Sequence, residues 1–62
     1  MKELSRAVKE LRQKTGWTQE DFAHHVGVSL STAQRWEKRG GNPTKLARRQ
    51  LQKLFQKVGI LN

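Results

Sequence analysis

Between Thr18 and Lys38 the sequence reads TQEDFAHHVGVSLSTAQRWEK, two capped helical patterns with little more than Gly27 and Val28 between them. A chain that must stop one helix and start another in so few residues has little freedom in how the two can pack. Thr18 is a good N-cap, and Asp21, three residues on, can return the hydrogen bond, a capping box in its Asp form. Trp17 precedes the cap and is placed to pack on Phe22 inside the helix as a hydrophobic staple. That helix reads on to about Val26. Gly27 supplies the left-handed backbone the turn needs, and Ser29 caps the next helix, which runs to about Lys38.

The flanking segments are helical too. Leu4, Ala7, Val8 and Leu11 fall at i, i+3, i+4 and i+7, which predicts a helix over roughly residues 2–15, with Gly16 as its stop. Residues 39–43, RGGNP, are the one Gly/Pro-rich loop, and Asn42 before Pro43 reads as an N-cap followed by Pro at the first helical position. In the fourth helix Ala47, Leu51, Leu54, Phe55 and Val58 line one face, while Lys45, Arg48, Arg49, Lys53 and Lys57 lie mainly elsewhere. Gly59 ends it and leaves Ile60, Leu61 and Asn62 as a short tail. With no repeat, linker or low-complexity segment, residues 1–62 read as one all-α domain.

A chain of 62 residues has room for one small core, and a two-substrate active site is not expected in it. Without Cys there is no disulfide, and His24 and His25 have no partner set for a metal, so both read as plain surface residues and no cofactor is implied. No apolar run approaches the roughly 18 residues of a membrane span, and the charged, amphipathic MKELSRAVKE is unlike a signal peptide. A soluble, cytoplasmic protein is expected. Charge says more: 13 Lys and Arg against 5 Asp and Glu give +8, of which residues 38–62 carry +7. Such a field points to a polyanion.

Two short helices joined by a tight turn containing Gly make a helix-turn-helix unit. Counted from Gln19 as position one, such a unit needs apolar residues at four, eight, ten, fifteen and eighteen, a small residue at five and Gly at nine. Phe22, Val26, Val28, Ala33 and Trp36, with Ala23 and Gly27, fill all seven places. At this point the chain resembles the phage-repressor and Cro-like (XRE-type) helix-turn-helix family, over residues 4 to about 58. LRQKTGWTQEDFA looks like that family's opening, and VGVSLSTAQRWE resembles its turn and recognition helix. The resemblance implies a four-helix, repressor-like domain that binds double-stranded DNA. It also implies an ion pair, buried between the ends of helices one and three, at Arg12 and Glu37.

With Ala33 and Trp36 turned inward, Leu30, Ser31, Gln34, Arg35 and Lys38 project outward from the third helix. A helix fits the roughly 12 Å major groove of B-form DNA with its N-terminal residues nearest the base edges. Arg35 is suited to the O6 and N7 of guanine, Gln34 to adenine, and Ser31 to almost any base. Leu30 reads either as a contact to a thymine methyl or as a side chain covering its neighbours. Gln19 opens a helix whose free N–H groups favour a phosphate, and by resemblance to the family its side chain anchors the DNA backbone there. Lys38 and Arg39 follow on the far side of the groove, and Lys45, Arg48 and Arg49 either extend that contact or are ordinary solvated charge.

The function expected is therefore site occupancy by a bacterial or phage transcriptional regulator, a repressor by family habit. Family members usually act as dimers, and here the fourth helix with Val58, Ile60 and Leu61 is the candidate interface, unless the chain is a monomer or a fragment. Two alternatives stand beside this. One is an antitoxin that also holds a toxin protein. The other is a charge-driven module with little sequence preference. No nucleophile elbow, phosphate loop or metal cluster suggests an enzyme, and Glu20 and Asp21 lie in a helical first turn.

Overall fold

The computed structural model describes residues 4–59. Four helices follow one another: α1 (Leu4–Thr15), α2 (Gln19–Val26), α3 (Leu30–Arg39) and α4 (Lys45–Val58). Residues 2 and 3 of the expected first helix, and Ile60, Leu61 and Asn62 of the expected tail, lie outside the described residues.

Side-chain caps set the helix starts. The Thr18 hydroxyl accepts from the Asp21 N–H at 3.0 Å, and the Asp21 carboxylate accepts from the Thr18 N–H at 3.1 Å, which satisfies two donors that the helix itself cannot. The Ser29 hydroxyl accepts from the Thr32 N–H at 3.2 Å. Between these caps Gly27 adopts φ 84° and ψ 34°, and its N–H and that of Val28 both reach the Ala23 carbonyl, at 2.8 and 3.0 Å. The chain thereby reverses while two donors from the turn close on the Ala23 carbonyl.

One start differs from the sequence reading. Helix α4 is capped by Thr44, whose hydroxyl accepts from the Ala47 N–H at 3.2 Å, and not by Asn42. Pro43 is buried, so the chain remains extended one residue beyond it before turning into the helix. Either Asn42 or Thr44 is a competent cap by residue type. The packing of Pro43 decides between them.

The core draws on every helix: Leu4, Ala7, Val8 and Leu11 from α1, Phe22, Ala23 and Val26 from α2, Ala33 and Trp36 from α3, and Ala47, Leu51 and Phe55 from α4. Trp17, Val28, Leu54 and Val58 pack against it while partly exposed. Helix α1 packs on α3 and α4, and α2 packs on α3. At the centre Phe22 meets Trp36 edge to face, with ring centroids 6.4 Å apart and planes at 76°. Because Trp36 and Ala33 are the inward residues of α3, the opposite face of that helix is left to solvent. The rest of the fold serves to hold it there.

Candidate nucleic-acid interface

Leu30, Ser31, Gln34, Arg35 and Lys38 are all exposed on that face, as is Arg39 at the end of the helix. Leu30, at 39 %, is a large apolar side chain in water at the first position of α3. Ser31 is held close to the cap, its hydroxyl 3.2 Å from that of Ser29, which also donates to Thr32 Oγ1 at 2.9 Å. The first turn of α3 is therefore ordered by its own hydroxyls, and Arg35 stands one turn further along with its guanidinium exposed.

The side-chain amide of Gln34 donates to Oε1 of Gln19 at 3.2 Å. This bond ties the helix that carries the reading residues to the N-terminus of α2, and nothing in residue type or spacing announced it. It leaves Gln34 with one further N–H and its own carbonyl oxygen for a ligand. Gln19 and Gln34 stand together at two adjoining surface depressions: Lys9, Glu37 and Lys38 complete one, and Arg12, Thr18, Glu20 and Leu30 complete the other. Lys45, Arg48 and Arg49 are exposed on α4 and do not line these depressions.

Arg12 and Glu37 form an ion pair, with one guanidinium nitrogen 2.7 and 2.8 Å from the two carboxylate oxygens. Arg12 Nε also donates to the Trp17 carbonyl at 3.2 Å, so the pair joins α1, the start of α2 and α3. The expectation of burial needs correcting: the side chains are 26 % and 16 % exposed. Both side chains thus keep contact with solvent, which lowers the desolvation cost and the cost of breaking the pair together. The Ser5 hydroxyl of α1 also donates to the Glu37 carbonyl in the last turn of α3.

His25 is also more than a plain surface residue. Its imidazole lies flat on the Trp17 indole, with centroids 3.9 Å apart and planes within 7°, while exposed His24 stands edge-on to it at 6.2 Å. The i, i+8 separation of Trp17 and His25 crosses the cap, so no helical periodicity links them. Asp21 has its carboxyl held below its usual 3.8 by the Thr18 backbone N–H, then by the Thr18 side chain, with the nearby histidines adding to the effect.

The described residues place no group of three or more His, Cys, Asp or Glu side chains so as to hold a metal ion. None of their helices is long and apolar enough to cross a membrane.

A family model described as helix-turn-helix matches residues 8–60. The chain belongs to the helix-turn-helix family. The comparisons with curated proteins and with solved structures gave no match. Within the family the chain is of the XRE, Cro-like type, a DNA-binding transcription regulator domain whose class is regulatory, not catalytic. In this helix-turn-helix domain α2 and α3 are the two helices of the motif and Gly27 its turn.

Proposed function

We propose that this helix-turn-helix protein is a sequence-specific repressor that lays α3 in the major groove and acts by occupying its site. The observation that carries the proposal is the exposed, unpacked face of α3, Leu30, Ser31, Gln34 and Arg35, beginning at the helix's first residue and linked through Gln34 to Gln19. Arg35 reads guanine through O6 and N7, Ser31 reads a neighbouring base, and Gln34 uses the donor and acceptor that Gln19 leaves free. Leu30 meets a thymine methyl. Gln19 and Lys38 share a depression and so bind phosphates on one side of the groove, not on opposite sides as their order along the chain suggests, while Arg39 and, from α4, Lys45, Arg48 and Arg49 add further backbone contacts.

Two copies reading an inverted repeat would place their recognition helices about 34 to 36 Å apart. We assign the contact between copies to α4, whose Leu46 is 68 % exposed. The antitoxin alternative needs a tight protein partner as well, and a stoichiometric complex of different chains that is lost on Leu46→Asp would favour it.

Selection from a randomised duplex pool at about 0.15 M salt, near physiological screening, tests the reading. An enriched inverted repeat is expected from the native protein. Arg35→Ala is expected to lose about 1 to 3 kcal/mol and to relax preference at one base position, whereas Arg48→Ala weakens all sequences alike. Equal loss on every sequence with Arg35→Ala would remove that residue from base reading.

A further inference from the structure

Lys9 belongs to α1, the helix that sequence patterning assigns to packing alone, yet it lines a depression with Gln19 of α2 and with Gln34, Glu37 and Lys38 of α3. Lys9 and Lys38 are thus brought to one concave surface by two helices remote in sequence. Both lysines are exposed. The carboxylate in the depression, Glu37, is engaged through both oxygens by Arg12. Glu10, the next residue along α1, faces Lys14 at 3.6 Å on another side of the helix. The positive charge of Lys9 and Lys38 is therefore left in excess beside Gln19, at the entrance to α2.

We propose that Lys9 is a phosphate ligand for the DNA strand that meets Gln19 and Lys38, so that α1 and α3 grip one strand from two sides. This rests on the DNA-binding reading above and extends it to a helix outside the motif. A lysine suits the role because its ammonium on a flexible stem can follow a phosphate without fixed geometry. The contact carries no base information, but it fixes how far α3 sits along the groove.

The test is the salt dependence of binding to the selected duplex for the native protein, Lys9→Gln, Lys9→Arg and Lys14→Gln. The last removes the same charge from the same helix, but from outside the depression. Each phosphate contact contributes about 0.9 to the slope of log K against log salt concentration. Lys9→Gln is expected to reduce the slope by about that amount and to weaken binding about fivefold at 0.15 M salt, while Lys9→Arg retains the native slope and Lys14→Gln changes it little. A slope for Lys9→Gln that matches Lys14→Gln overturns the assignment of Lys9 while leaving the DNA-binding reading intact. Absence of duplex binding by the native protein overturns both. Lys9 is exposed, so thermal unfolding of Lys9→Gln should match the native protein and exclude a folding defect.

Discussion

Asp21 does two things with one carboxylate: it caps α2 by accepting from the Thr18 N–H, and it places negative charge in the helix's first turn, where the dipole favours it. Both favour the ionised form, so its folded pKa lies below the usual 3.8. A depressed value means that the stabilisation is present above the unfolded pKa and is lost as pH falls through the lower folded one. Acid titration followed by circular dichroism should therefore show an unfolding limb below about pH 4 that is shallower in Asp21→Ala. Superimposable limbs would mean that the carboxylate is not linked to folding. At the same scale, Arg12 and Glu37 could be paired from family resemblance, but their partial exposure depends on how closely α1 and α3 approach. Trp17 and His25 show the opposite case. Each is unremarkable by residue type, and the stack joins the residue before the cap to the last turn of α2, a contact no local pattern encodes.

Gly27 is the element-scale decision, since it ends α2 in a left-handed conformation and aims α3. A Cβ added there would meet nothing within 4 Å, so the cost of Gly27→Ala comes from the backbone and not from a clash. An L-residue in that region costs about 1 to 2 kcal/mol. Urea denaturation should show a loss of that size with an unchanged m-value, and an unaltered midpoint would show that the turn relaxes to another conformation. The starts of α2 and α3 were legible because Gly16 and Gly27 stop the preceding helices two residues before Thr18 and Ser29, and in each case the first cap available is the one used. The start of α4 was not, because Asn42 and Thr44 compete and the burial of Pro43 settles the matter.

At the scale of the whole molecule, twelve buried apolar residues among those described hold four helices together without disulfide support. A domain of this size has about 3 to 9 kcal/mol of stability in all. Phe55 is fully buried, and Phe55→Ala should cost about 3 to 5 kcal/mol, a large share of that total. Calorimetry checks this, and a melting temperature within a few degrees of native would place the core elsewhere. Arg35→Ala, by contrast, should melt like the native protein while losing its site. Separating the two phenotypes distinguishes the scaffold from the surface it presents.

The sequence by itself determined where α2 and α3 begin and which face of each helix turns inward, because caps, glycines and 3.6-residue periodicity act over a few residues. It thereby determined the motif and, through Ala33 and Trp36, the outward residues of α3. Only the tertiary structure decided which exposed side chains share a surface. Lys9 and Lys38 are 29 positions apart in the chain and line one depression. Gln19 and Gln34 are hydrogen-bonded across 15 positions. Such neighbours follow from the distance and orientation of packed helices, which are properties of the assembled core and of no single segment.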